Sequence, residues 1–152
     1  MFYAGLIAAL AAGDQGLKWL IERQDQDGFP RPLARTGGRI WLHRHHNTGF
    51  PFGFLKNHGE LVRTVPLAVI SGLCGVLEYL VLKHKKEKTV QKLGLSLVLG
   101  GAFSNLYDRY IRRYVVDYFS IQAGFLKNVI FNLGDILVFA GSALLMCAEL
   151  AG

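Results

Sequence analysis

Asp14 with Lys18, Asn105 with Asp108 and Arg109, and Asn132 with Asp135 interrupt or border runs that are otherwise apolar. Asp117 lies between the last two groups. An ionisable side chain at the centre of a bilayer costs roughly 2.5–3.5 kcal/mol even on a lenient insertion scale, so such residues need partners, water or a function. Asp14 and Lys18 are four apart on one helical face, acid before base, and also read as a self-neutralising pair that tolerates insertion. Asn132 and Asp135 share a face too, where an amide also serves as a hydrogen-bonding contact between membrane helices. Two aspartates close together in a partly desolvated place do not both ionise easily. One then holds a proton and the other is a base, the arrangement that activates water against an amide. Asp135 is one member of such a pair; spacing alone leaves Asp108 and Asp117 both open as the other.

Other chemistries find little in the chain. His43, His45 and His46 have the residue types for zinc but neither a helical i,i+4 pair nor a spaced Cys/His partner, so HRHH reads as a basic patch facing headgroups. No G-x-S-x-G serine and no glycine-rich phosphate loop after a strand occurs. Cys74 and Cys147 both fall in apolar runs and read as small packing residues. Glu78 and Glu149 lie near helix ends where a long side chain reaches water, and Gln15 is open between a structural and a functional place. No cofactor is expected. The net charge of +6 would suit nucleic acid, but its distribution points to a membrane instead.

The elements that position these residues are long apolar blocks. Of the 152 residues, 51% are hydrophobic, and four blocks approach the ~20 residues that cross a ~30 Å hydrocarbon core. These predicted spans cover about 2–20, 61–82, 90–107 and 129–150. The expected fold is an all-α membrane protein of four transmembrane helices, one domain over 1–152. A small β-containing extracytoplasmic loop region should follow span one, and a short extracytoplasmic segment should join spans three and four. KHKKEK at 83–88 is a basic turn, cytoplasmic by the positive-inside rule, which puts both termini in the cytoplasm. Tyr107, Tyr110, Tyr114, Tyr118 and Phe119, with Phe50, Phe52 and Phe54, then read as outer-interface aromatics. On this topology the polar groups collect in one layer at the outer face, Asp135 about 9 Å along its helix from Val129 by helical rise.

Five blocks in this chain resemble the lipoprotein signal peptidase (signal peptidase II) family. DQGLK at 14–18 is similar to D-Q-x-x-K, NTGFPFGF at 47–54 to N-x-G-A-A-F, and GGAFSNLYDR at 100–109 to G-G-A-x-G-N-L-x-D-R. VVDYF at 115–119 and FNLGD at 131–135 resemble V-V-D-F and F-N-x-A-D. All five occur in the family's order across nearly the whole chain. The resemblance implies a bacterial aspartyl endopeptidase, multi-pass in the cytoplasmic membrane, with its active site at the outer face. Asp117 and Asp135 would be catalytic, with Asp14, Lys18, Asn47, Gly49, Asn105, Asp108, Arg109 and Asn132 binding substrate or supporting the pair. Substrates would be diacylglyceryl-modified prolipoproteins, cut before the lipidated cysteine. Membrane lipid and the inhibitor globomycin would be the other partners, nucleic acid would not, and the enzyme would be a monomer.

Three departures mark the chain: Phe50-Pro51 in place of Ala-Ala, Ser104 in place of Gly, and Gly134 in place of Ala. The first alters a loop expected to cradle substrate; the last gives Asp135 a more permissive backbone. Two other readings stand beside the family. Tyr107-Asp108 and Leu133-Gly134-Asp135 faintly resemble the motifs of presenilin-like intramembrane proteases, which would pair Asp108 with Asp135. A small proton-coupled four-helix transporter would also use a buried carboxylate, but nearer the midplane.

Overall fold

The computed structural model describes residues 1–49 and 59–150. Four long helices carry the fold: α1 (Phe2–Glu22), α2 (Gly59–Leu82), α3 (Thr89–Ile111) and α4 (Leu133–Leu150). They follow the four apolar blocks, with α4 beginning four residues later than the block. The Phe50-Pro51 departure and the aromatics at 52 and 54 lie outside the described residues.

The bundle buries polar side chains beside an apolar core of Ile70, Leu77, Leu95, Leu99 and Leu106, and exposes further apolar ones. The buried residues of α1 are Asp14, Lys18 and Ile21, one stripe at i, i+4, i+7, while Leu17, Trp19 and Leu20 face outward. On α2, Val65, Val69, Val76 and Tyr79 are exposed, and on α4 Phe139 and Met146 are. Apolar surface on this scale marks contact with something other than water. By length and apolarity α2 and α4 are clear membrane-span candidates, with mean hydropathies of 2.0 and 1.8. The polar stripe on α1 and the Gln91, Lys92, Asn105, Asp108 and Arg109 side chains of α3 keep those two helices from the same composition.

α3 is the central helix and packs against each of the other three. Its contact with α4 includes close backbone approaches at glycines. A Cβ on Gly101 would lie 2.1 Å from the Gly134 carbonyl oxygen, and one on Gly141 would lie 2.6 Å from that of Gly94. Small residues at facing positions allow this approach in membrane bundles, where dispersion rather than water release drives association. The Gly101–Gly134 crossing matters for the site, because Asn105 is one turn beyond Gly101 and Asp135 is the next residue after Gly134.

A three-stranded antiparallel sheet caps one end, in the order β1 (Arg31–Pro32), β2 (Ile40–Asn47), β3 (Val115–Ile121). In register, His45 faces Asp117 and Asn47 faces Val115, with an irregularity between Leu42 and His45. β3 is almost wholly buried. Phe131 bridges to Phe119, its carbonyl accepting from the Tyr118 and Phe119 amides at 2.8 and 3.0 Å. Phe131 is therefore held at the sheet edge and α4 opens at Leu133, not at the predicted 129. A Val-Ile-Phe run suits a strand as well as a helix, and backbone pairing with β3 decides between them.

Candidate active site

The start of α4 is built around the two residues that interrupt its apolar run. Asn132 precedes the helix, and its Oδ1 accepts the Asp135 amide at 2.8 Å. Asp135 Oδ2 accepts the Asn132 amide in return at 3.1 Å. This reciprocal arrangement satisfies two donors of the helix end and fixes the Asp135 rotamer. Asp135 is thus the third residue of α4, in its first turn, not some 9 Å along a helix begun at Val129. Gly134 serves packing more than backbone freedom: a Cβ there would lie 2.9 Å from Gly101 O and 3.0 Å from Asp14 Oδ2.

Asn132 also reaches the other aspartate. Its Nδ2 donates to Asp117 Oδ1 at 2.7 Å, and Asn47 Nδ2 donates to Asp117 Oδ2 at 3.1 Å. One asparagine therefore bonds both Asp117 and Asp135. Asp135 Oδ1 receives a further bond from Asn105 Nδ2 at 2.9 Å. Burial, and then the charge of Asp135, push the Asp117 carboxyl up to about 7 against the pull of its two asparagine donors. A buried carboxyl that holds its proton near neutrality, within reach of a second carboxylate's charge, is a candidate acid-base centre.

Both aspartates open on one cavity of about 1080 Å³. Asn47, Gly49, Asn105 and Arg109 line its polar side. Val65, Ile70, Leu73, Val138 and Phe139 of α2 and α4 line its apolar side. Arg109 donates to Asn105 O at 3.4 Å and to Gly49 O at 3.5 Å, tying α3 to the loop after β2.

Behind this wall lies a charge cluster with no exposure at Asp14, Lys18 or Asp108. The Lys18 ammonium is 2.8 Å from Asp14 Oδ2 and 2.9 Å from Asp108 Oδ2, and donates to Asn105 Oδ1 at 2.8 Å. Lys18 therefore holds the asparagine that holds Asp135. Asp108 is saturated: besides Lys18 it bonds Arg112, Gln15 Nε2 at 3.0 Å and the Val116 amide at 3.2 Å. It is not among the residues lining the cavity.

The sequence-predicted residues thus divide into two layers. Asn47, Gly49, Asn105, Arg109, Asp117 and Asp135 line the cavity, with Asn132 binding both aspartates; Asp14, Lys18 and Asp108 stand behind. Gln15 belongs to the second layer. Sequence reasoning missed Arg112, Tyr118 and the part played by Ser104. The Ser104 hydroxyl donates to Asp14 Oδ2 at 2.5 Å and lies 3.3 Å from Lys18 Nζ, so the departure from Gly adds a cluster member. Of the histidines, His43 lies 2.8 Å from Ser120 Oγ and His46 2.8 Å from Glu22. Burial, and then His45, hold His43 below its usual range. Among the described residues, no group of three or more His, Cys, Asp or Glu could hold a metal ion.

A helical bundle of membrane-span character, with two aspartates sharing an asparagine in a half-apolar cavity, has the parts of a membrane hydrolase that activates water. The signal peptidase (SPase) II family model matches residues 6–151. The lipoprotein signal peptidase of Serratia marcescens is 34% identical, covering 94% of this chain and 81% of that protein. That of Geobacillus thermodenitrificans is 31% identical over 95% of this chain and 87% of its own. A bacterial membrane enzyme structure determined by the in meso method at 2.3 Å superposes with a TM-score of 0.83 at 21% identity, over 99% of this chain and 88% of that one, which establishes the likeness of fold. The chain belongs to the signal peptidase II family.

Proposed function

We propose that this chain removes signal peptides from diacylglyceryl-modified prolipoproteins, cutting before the lipidated cysteine, with Asp117 and Asp135 as its catalytic pair. One observation carries the assignment of the pair: Asn132 bonds both aspartates at the edge of the same cavity. The two alternative readings are not favoured. Asp108, which a presenilin-like pair would need, is taken up by Lys18, Arg112, Gln15 and the Val116 amide and does not line the cavity, and the acids gather at one end of the bundle rather than at a proton-coupling depth near its middle.

The reaction follows from the partners of each carboxyl. One aspartate is ionised and takes a proton from water, and that water adds to the scissile carbonyl. The other, protonated, donates a hydrogen bond to the carbonyl oxygen, and a proton passes to the leaving amine as the C–N bond breaks. The protons belong to the pair as a unit. Asn105 and Asn132 orient Asp135 with N–H donors, and Asn47 and Asn132 orient Asp117. The Arg109 guanidinium on the cavity wall suits backbone or headgroup oxygens of the substrate. The apolar wall from α2 and α4 suits acyl chains entering from the bilayer, so depth in the membrane becomes part of recognition.

All four helices cross the bacterial cytoplasmic membrane, with the 83–88 turn and both termini in the cytoplasm and the sheet at the outer face. All named site residues come from one chain, which suits a monomer. The test is cleavage by the detergent-solubilised protein of a purified prolipoprotein, with and without its diacylglyceryl group and with and without globomycin. Lipid-dependent, globomycin-sensitive cleavage before the cysteine is expected; equal cleavage of the unlipidated form would contradict the substrate assignment.

A further inference from the structure

Tyr118 follows Asp117 in β3, and alternation along a strand turns its side chain to the face opposite the cavity. It is 6% exposed. Its hydroxyl makes two bonds of different kinds. It donates to Asp14 Oδ1 at 3.1 Å, and it accepts the backbone N–H of Leu133 at 2.8 Å. Leu133 is the first residue of α4, so this N–H has no partner within the helix. It lies between Asn132 and Gly134, in the turn that holds Asp135.

A hydroxyl has one proton to give, and Asp14 determines where it goes. Asp14 is held by Lys18 and Ser104 through its other oxygen, leaving Oδ1 to face Tyr118. With the O–H directed at Asp14, the lone pairs of the phenol oxygen are left for Leu133. Burial, and then the Asp14 charge, push the Tyr118 phenol above its ordinary range, so the proton stays on the oxygen. The buried cluster thus reaches the candidate pair by two routes: Lys18 through Asn105 to Asp135, and Asp14 through Tyr118 to the backbone at the head of α4.

We infer that Tyr118 is a positioning residue for the reaction, its hydroxyl locking the first turn of α4 so that Asp135 and Asn132 stay in register with Asp117. The inference rests on the Asp117/Asp135 reading and extends it to a residue whose side chain lies outside the cavity. A phenylalanine here would fill the same space and leave both Asp14 Oδ1 and the Leu133 amide short of a partner.

Two variants remove the link from opposite ends. Tyr118→Phe deletes the hydroxyl and keeps the ring. Leu133→Pro deletes the N–H at the first helical position, where proline is well tolerated, and keeps the hydroxyl. Each should lower the single-turnover rate of prolipoprotein cleavage about tenfold at saturating substrate, the scale of a small misplacement of reacting groups. KM should stay within about twofold, because the cavity wall is untouched. The double variant should be no slower than the slower single, since both break one link. Asp117→Asn is assayed alongside with matched amounts of folded protein. If Asp117→Asn is inactive while either single variant cleaves at the wild-type rate, or shows its defect only in KM, the positioning role is wrong. If Asp117→Asn itself turns over, the catalytic pair is wrong and this inference goes with it.

Discussion

Lys18→Met should unfold the protein far more readily than the loss of one surface charge would. Methionine keeps the length of the stem and removes the ammonium. Lys18 has no exposure and contacts Asp14 Oδ2, Asp108 Oδ2 and Asn105 Oδ1, all within 2.9 Å. Removing one partner of a buried ion pair costs about 3–5 kcal/mol, because the charge left behind stays desolvated. Asp108 keeps Arg112, Gln15 and the Val116 amide, so most of the penalty falls on Asp14, left with the Ser104 and Tyr118 hydroxyls. At about 2–4 °C per kcal/mol for a chain of this size, Tm should fall by roughly 6–20 °C. The same reasoning makes Asp14→Asn partly restorative: Lys18→Met/Asp14→Asn should be more stable than Lys18→Met alone, by about 1–3 kcal/mol. Thermal unfolding of the detergent-solubilised variants measures both effects. A Lys18→Met protein within about 1 kcal/mol of wild type, or a double variant that simply adds the two losses, would refute the account of the cluster.

Asp117 gives a pH signature. Its carboxyl is pushed up to about 7 in the folded protein against about 3.9 in the unfolded chain, so between those values the native state binds the extra proton. Its contribution to stability is therefore present below the unfolded value and is lost as pH rises through about 7, by up to ~4 kcal/mol. Asp117→Asn, which cannot ionise, should melt higher than wild type at pH 8, with the gap closing toward pH 4; a constant gap across that range would contradict the shift. Gly101→Ala should cost about 3 kcal/mol or more and depress cleavage, because its Cβ would press on the Gly134 backbone. Gly75→Ala, with nothing within 4 Å, should be neutral or slightly stabilising, and equal effects of the two would refute the packing argument. Single cysteines at Lys86 and Thr36, in a background without Cys74 and Cys147, should label oppositely with an impermeant thiol reagent; labelling at Lys86 in intact cells would reverse the orientation.

The helices were legible because apolar runs of about 20 residues have few other uses. The site layer was legible in part, because polar groups stand out against such runs. Four features were not, each for a physical reason. The start of α4 was misplaced because nothing in the apolar run Val129–Phe131 signals that Phe131 bridges to β3. Spacing could not separate Asp117 from Asp108, because what distinguishes them is that the buried lysine contacts Asp108. Tyr118 read as an interface aromatic, yet its hydroxyl meets Asp14 across 104 residues of sequence, and local periodicity says nothing of such a contact. Ser104 read only as a departure, with no role, for the same reason, since its partners are on α1.

Single-turnover cleavage of a diacylated prolipoprotein by Asp117→Asn, Asp135→Asn and Asp108→Asn, at matched amounts of folded protein, tests the central claim most directly. Asparagine keeps the shape of each side chain and removes the ionisable proton. Asp117→Asn and Asp135→Asn should each abolish turnover while substrate still binds, and the double variant should be no worse than either, as for residues that act as one unit. Asp108→Asn should slow the reaction or weaken the fold and leave measurable cleavage. Substantial cleavage by Asp117→Asn together with none by Asp108→Asn would contradict the account.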